Sequence, residues 1–451
     1  MILRSHTASL LVLLLAVSSI SCGKKTPGNI PSPETVSEVM DGTRTTANAA
    51  WWGFEEEDAT EALQAAINSG AKTVIIPNMG KDWIVRPIML AGNQVLEFQE
   101  GTVVMAKKGE FKGSNDCLFF ARDVNNLTMR GAATLRMRKP DYMSKDYSKA
   151  EWRMGLALWG CSNVTIEGLT IAESGGDGIY ITSSDKTPCS HNITIRNVIC
   201  DGNLRQGISI ISADSLLIEN CLLTNTKGTS PAAGIDMEPN HSYQRLSNIV
   251  VSNCRFIDND GGGILHYLGH FTTESEEVSI LYDNCYITSS TGAGIIMGGG
   301  RDGGPQGLIE FRNCQVENIP DAGLWIFDKS ADSVSLRMDS CTWKNVATGI
   351  DSADGLKRFV PAVFLKDPSK PSPIWFFAGV VADITVNQGG VDFVNCVLSD
   401  NADRPVISAA SKQTYTAISK ITGEITVDSP FTPRMDMGDN TDGITISLLK
   451  K

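Results

Sequence analysis

The sequence predicts an all-β fold, a right-handed parallel β-helix with a short N-terminal capping helix, and three observations predict it. A Gly-hydrophobic pair recurs at Gly178-Ile179, Gly207-Ile208, Gly234-Ile235, Gly263-Ile264, Gly294-Ile295 and Gly323-Leu324, at spacings of 29, 27, 29, 31 and 29 residues. A second column interleaves with it: Asn197-Val198, Asn220-Cys221, Asn253-Cys254, Asn284-Cys285, Asn313-Cys314 and Ser340-Cys341. Between the columns lie short β-rich runs such as Asn192-Ile-Thr-Ile and Gly207-Ile-Ser-Ile, with no helical pattern of useful length. Such a repeat cannot bury its apolar face alone. Coiling solves this by pairing each strand in parallel with its equivalent one coil on, about 4.8 Å away.

Taken in order, the chain divides into four parts. Residues 1–21 read as an export signal: Arg4 gives the positive start, and Leu10 to Val17 is an apolar run too short to span a bilayer. Ser19-Ile-Ser-Cys22 reads as a lipoprotein processing site with Cys22 carrying the lipid, or alternatively as an ordinary small-residue cleavage site. Residues 22–50, rich in Gly, Pro and Lys at their start, read as the tether such an anchor needs. Residues 51–400 hold the β-helix. They open with the amphipathic stretch Asp58 to Gly70, a helix that would cover the open end of the core, and the strand Thr73-Val-Ile-Ile-Pro77. Residues 401–451, where the pattern loosens, read as a C-terminal β cap.

The net charge of −12 excludes a nucleic-acid partner, which requires a basic stripe. The stacked cysteines fall at one inward position, where a thiol packs as a small hydrophobe; alternatively, neighbours one coil apart lie within disulfide range and could be oxidised in an exported protein.

Alternation along a strand sorts the side chains into faces. With Ile179, Ile208, Ile235, Ile264 and Ile295 inward, the outward columns are Tyr180, Ser209, Asp236, Leu265, Ile296, Trp325 and Thr182, Ile211, Glu238, Tyr267, Gly298, Phe327. Asp236 and Glu238 share one strand and one face. Two nearby carboxyl groups are what glycoside hydrolysis needs, one to protonate the leaving oxygen and one to activate water or attack carbon. Asp177, two coils earlier in a glycine-flanked turn, is a third candidate catalytic residue. Arg205, between the acids, and Arg153 are candidate contacts for substrate; Arg205 could also set the ionisation of the acids. Tyr180, Tyr267 and Trp325 are candidate platforms for sugar rings, and His241 a candidate proton carrier. His266 falls inward, as a core histidine, unless a bulge at Gly261-Gly-Gly turns it. No cofactor is expected; Asp258-Asn-Asp260 could hold calcium but reads better as an Asx turn.

The opening helix, strand and proline, followed by coils like Asn163-Val-Thr-Ile-Glu-Gly-Leu-Thr-Ile171, resemble the pectate-lyase-like superfamily of β-helix carbohydrate-active proteins over residues 50–400. The blocks Glu151-Trp-Arg153, Gly175-Gly-Asp-Gly178, Arg205-Gln-Gly207 and Gly234-Ile-Asp-Met-Glu-Pro239 are similar to a pattern found in exported β-helix proteins of bacterial polysaccharide-degrading systems. The chain departs from the paired Asp-Asp, Gly-His-Gly and Arg-x-Lys signatures of polygalacturonases and from the Asp-Pro-His block of alginate epimerases. The resemblance implies a carbohydrate partner. Three activities are compatible with these residues: a glycoside hydrolase using the acids, a polysaccharide lyase in which a basic residue such as Arg205 abstracts the proton next to a uronic carboxylate, and a non-catalytic glycan-binding solenoid.

Overall fold

In the computed structural model, residues 33–349, 372–381, 386–411, 417–438 and 441–451 are described. The expected export signal and Cys22 lie outside them. Three columns of parallel strands wind about one core. On the first face Val164, Ile193, Leu216, Ile249, Ile280, Ile309 and Leu336 stand in register. On the second run Ile171, Cys200, Leu223, Phe256, Ile287, Val316 and Trp343. The third carries Ile179, Ile208, Ile235, Ile264, Ile295, Leu324, Ile374 and Ile407. All of these inward residues are buried, so each coil packs on the coils above and below it.

The repeating glycines have a steric cause. A Cβ on Gly207 would stand 2.4 Å from the carbonyl oxygen of Gly234, and one on Gly234 2.8 Å from that of Gly263. The same position also faces the corner side chains Leu223 and Phe256. The column is therefore the place where the chain enters the third face against its neighbour with no room for a side chain.

The recurring asparagines have a conformational cause. Asn197, Asn220, Asn253, Asn284, Asn313 and Asn395 all adopt left-handed backbone, with φ between 51° and 55°. A ladder of side-chain hydrogen bonds does form, but mainly in a different column: Asn192 donates to Asn163 at 2.6 Å, Asn163 to Asn126 at 3.1 Å, and Asn126 to Asn93 at 2.8 Å. In the expected column Asn284 donates to Asn253 at 2.7 Å. The cysteines that follow these asparagines are free and buried. Each thiol points along the axis at a backbone carbonyl of the preceding coil, as Cys285 does to Val251 at 3.5 Å and Cys314 to Tyr282 at 3.6 Å.

The capping helix spans Thr60–Asn68 and buries Leu63, Ala66 and Ile67 against the open core. Asp58 holds its start: Oδ1 accepts the Thr60 N–H at 3.1 Å. Two expected boundaries move. Residues 33–50, expected as tether, are folded: a helix at Pro33–Met40 buries Val39, and Thr46–Asn48 is already a strand paired with Thr73–Ile75. The buried methyls of Ala47 and Ala49 close the core end, which a purely polar tether cannot do. Residues 401–451, expected as a separate cap, continue the coil: Val391, Ile421 and Ile444 stay in parallel register through the strands Ile418–Asp428 and Thr441–Lys450. Alternating Ile and Val there supply the same inward column despite the looser repeat.

Candidate functional site

The outer side of the third face divides into three zones along the axis. Tyr180, Ser209, Asp236, Leu265, Ile296 and Trp325 form one in-register outward column. Its C-terminal part is an apolar wall. Leu265, Ile296, Trp325, Phe327, Trp375 and Phe377 are all buried, with Tyr267, Val380 and Val381 packed against them. Its N-terminal part carries half-exposed Phe120, Trp159 and Tyr180. The polar centre between them is organised around Arg205.

Three carboxylates ring the Arg205 guanidinium. Nη1 faces Asp177 Oδ2 at 3.5 Å, Nη2 faces Glu238 Oε2 at 3.6 Å and Nε faces Glu151 Oε2 at 3.7 Å. Asp177 and Asp236 have no exposed side-chain surface, Arg205 keeps 14%, Glu238 30% and Glu151 38%. Glu238 and Glu151 thus form the rim that solvent reaches, with Asp177 and Asp236 beneath. Asp177 emerges on this outer side because its flanking glycines break the alternation. A Cβ at Gly176 would lie 2.4 Å from the Glu151 carbonyl, so only glycine allows the segments to approach.

Gln206 fixes the orientation of the deeper acid. Its Oε1 accepts the Ala233 N–H at 2.7 Å, which obliges its Nε2 to donate to Asp236 Oδ2, at 2.8 Å. The Asp236 carboxyl also lies within hydrogen-bonding reach of the Glu238 carboxyl. Burial, then the charge of Glu238, push the Asp236 pKa well above the carboxylate range, against the pull of Arg205. Burial raises Glu238 as well, partly offset by Arg205 and by His270. Ionisation of either carboxyl thus opposes ionisation of the other. Burial lifts Asp177 to about 6, although Arg205 and the Ser209 hydroxyl oppose this. Burial works against the charge on Arg205, but Asp177, Asp236, Glu238 and Glu151 outweigh it and hold its pKa above that of free arginine.

Five buried polar atoms converge here without a well-formed hydrogen bond in the protein: both oxygens of Asp177, Asp236 Oδ1, Ser209 Oγ and Arg205 Nε, of which Asp177 Oδ2 and Arg205 Nε are held only in long ion pairs. Buried polar atoms are ordinarily satisfied, so a cluster of this kind marks a place organised for something other than its own packing.

The structure brings Asp236, Glu238, Asp177 and Arg205 together, with Tyr180 close by, its hydroxyl raised to about 12 by burial and by Asp177. Other expected site residues lie elsewhere. Arg153 is wholly buried and is a strut, not a substrate contact: it donates to the carbonyls of Phe111 at 2.8 Å, Lys112 at 3.3 Å and Ser148 at 3.0 Å, between the rings of Tyr142 and Tyr147. Trp325 keeps only 3% of its surface because Phe327 and Trp375 pack against it, so it offers no face to a sugar. Tyr267 is half-buried, stacked on Phe327 with centroids 6.3 Å apart. His241 is exposed and stacked on Tyr243. The imidazole that acts on Glu238 is instead that of His270, packed edge-on to Tyr267. His266 is inward, its Nε2 2.9 Å from the Tyr282 hydroxyl, and burial drives its pKa down to about 3. Asn259 spends its amide on the preceding coil, accepting from Thr226 N–H and donating to Leu223 C=O, so it ties two coils together rather than closing a local Asx turn. Among the described residues no group of three or more His, Cys, Asp or Glu is arranged to hold a metal.

Sequence reasoning missed Gln206, Glu151 and His270 as site members. The signal for Gln206 was its place level with Asp177 one coil on, just ahead of the strand Ile208–Ile210; His270 follows its strand in a loop, where no periodicity applies.

The fold defines the class: a right-handed parallel β-helix protein. The family model described as "Right handed beta helix region" matches residues 146–303. The protein YclG of Bacillus subtilis strain 168 is 25% identical over 257 residues, covering 49% of this chain and 44% of YclG. The SPbeta prophage-derived protein YorA of the same strain is 25% identical over 194 residues, 39% of this chain and 33% of its own. The chain thus spans less than half the length of these curated relatives. Among solved structures, the A-module of the mannuronan C-5 epimerase AlgE6 from Azotobacter vinelandii is similar with TM-score 0.57 and 14% identity, covering 90% of this chain and 99% of the module. The family 28 exopolygalacturonase of Yersinia enterocolitica is similar with TM-score 0.54 and 13% identity, covering 90% and 78%. At these identities the likeness is one of fold.

Proposed function

We propose that this protein is an exported glycoside hydrolase acting on a polysaccharide or oligosaccharide bound along the third face. The observation that carries the reading is the grouping of Glu151, Asp177 and Glu238 around the Arg205 guanidinium, with the buried Asp236 beside Glu238. Two carboxyls in hydrogen-bonding reach are closer than the roughly 5–9.5 Å that separates acid and base across a glycosidic bond. They therefore act as one unit. Glu238, at the rim, gives the proton to the leaving oxygen, and Asp236 positions it. The second carboxylate is Glu151, on the other side of the guanidinium, which takes the proton of the attacking water as the C–O bond to the leaving group breaks. Arg205 holds the two rim acids apart, with Asp177 balancing its charge from below.

The lyase reading finds a poor base in Arg205. An arginine surrounded by acids keeps its proton more tightly than a free one, so Arg205 cannot abstract a proton next to a uronic carboxylate. The N-terminal sequence ending at Cys22 supports export and lipid attachment; fatty-acid labelling of the expressed protein that is lost in Cys22→Ser is the expected result.

The test is a panel of purified polysaccharides scored for new reducing ends and for ultraviolet absorbance. Hydrolysis raises the first alone. Glu238→Gln is expected to lower kcat by about 10²–10⁴. Cleavage that survives both Glu238→Gln and Asp236→Asn removes the assignment, and products absorbing in the ultraviolet replace hydrolysis with elimination.

A further inference from the structure

Phe120, Trp159 and Tyr180 are half-exposed aromatics on the outward side of the strands that immediately precede the acids, and the hydrolase reading does not use them. Their placement is set by the same lattice. Phe120, Ala157, Tyr180, Ser209 and Asp236 are consecutive members of one column. Arg122, Trp159 and Thr182 begin the adjacent column, which continues to Glu238. At about 4.8 Å per coil, Tyr180 stands roughly 10 Å from Asp236 and Phe120 roughly 19 Å. The three rings adjoin as one inclined cluster, with centroids 5.7 Å apart and planes at 68° for Phe120–Trp159, and 6.4 Å and 47° for Trp159–Tyr180.

A cation lies over the Phe120–Trp159 part of this cluster. The Arg122 guanidinium lies 4.6 Å from the Trp159 ring centroid and 5.7 Å from that of Phe120. Its carboxylate partner, Asp185, is 3.4 Å away with a side chain 95% exposed. A pair so open to water is readily exchanged for a ligand anion. Beyond the acids in the other direction, the column runs into the buried Leu265–Ile296–Trp325 wall, so a bound chain has one direction in which to extend.

We propose that Phe120, Trp159 and Tyr180 are stacking subsites for a glycan that runs from the acids toward the N-terminal coils, and that Arg122 recognises an anionic substituent, carboxylate or sulfate, on a sugar three to four coils from the reacting bond. The geometry favours a sugar chain over other occupants. The pyranose C–H faces stack on rings set coil by coil, and the surface is continuous with the carboxyl site. This inference rests on the hydrolase reading for its orientation, but its test is a binding measurement.

The full chain carrying Glu238→Gln is titrated, by calorimetry and tryptophan fluorescence, with oligogalacturonates, sulfated galactan oligomers and neutral α-1,4-glucan oligomers of two and six units. Six-unit anionic oligomers are expected to bind at least about tenfold tighter than two-unit ones. Adding Trp159→Ala abolishes that length advantage and Trp159→Phe restores most of it, which separates stacking from misfolding. Arg122→Gln removes the preference for anionic over neutral six-unit chains and leaves the length advantage in place. Which anionic series binds assigns carboxylate or sulfate. Equal affinity for two and six units, a length advantage indifferent to Trp159→Ala, an anion preference indifferent to Arg122→Gln, or binding of none of the three series overturns the proposal. If the subsites behave as expected while the unsubstituted protein cleaves none of the bound chains, the hydrolase reading falls and the subsites stand.

Discussion

At the residue scale, the energetics of the site centre on groups held in the protonation state they least prefer in water. Asp177 is the clearest case, fully buried with its pKa lifted to about 6 from 3.8. Between about pH 4 and 6 the folded protein keeps a proton on Asp177 that the unfolded chain has released. The unfolded state then binds fewer protons, so this group makes stability fall as pH rises through that window. The shift of about 2 pKa units corresponds to about 3 kcal/mol at most. Asp177→Asn is therefore expected to flatten the fall in the urea midpoint between pH 4 and pH 7. An unchanged slope would mean that the burial of Asp177 is fully compensated by Arg205. The same scale shows what a sequence can and cannot disclose. The two-residue spacing of Asp236 and Glu238 put them on one face at once. Arg153 has the look of a site residue because it sits in the same block as Glu151. Its guanidinium is satisfied by carbonyls at 111, 112 and 148, and no local pattern announces a bond to a loop forty residues away.

At the element scale, the recurring motifs were legible because each answers to a rule that acts within one coil. The asparagine column marks left-handed turns, and the glycine column marks the entry to the third face. Gly207→Ala places a methyl 2.4 Å from a neighbouring carbonyl, and overpacking of this kind typically costs about 1–3 kcal/mol. A drop in unfolding free energy of that size is expected by denaturant titration, and no drop would mean that the backbone there yields. The cysteine column makes the opposite demand. Cys285→Ala leaves a small apolar residue in place and is expected to cost about 1 kcal/mol, whereas Cys285→Asp, which buries a carboxylate, should prevent folding. The aromatic residues were harder to judge. Period two places Trp325 and Tyr180 on the same outward column, yet one is covered and the other half-exposed. What covers a face comes from segments remote in sequence, such as Val380 and Val381.

At the scale of the molecule, stability is a sum over neighbouring coils, and the two ends differ. The N-terminal end is closed by the Thr60–Asn68 helix and the folded residues before it. At the other, the strand Thr441–Lys450 pairs with a single neighbour, Ile418–Asp428, and leaves Leu449 44% exposed. Amide exchange is expected to be fastest in Thr441–Lys450, slower coil by coil toward the middle, and slowest near Ile193–Ile309; uniform protection from end to end would show that the solenoid opens all at once. The expected boundary at residue 400 came from a fading repeat, and the one at 50 from a tether-like composition. The lattice tolerates that fading because inward Ile and Val suffice to continue it.

That tolerance has a further consequence. Leu324 pairs with Ile374 as faithfully as Leu324 does with Ile295, although fifty positions separate the first pair and 29 the second. Hydrogen bonding thus counts turns of the spiral and is indifferent to how much chain is paid out between them. Lengthening an excursion adds only about 0.6 kcal/mol per doubling. The rim above the third face can accordingly be rebuilt by exchanging whole loops, while the girders that hold Glu238 and its neighbours stay where they are.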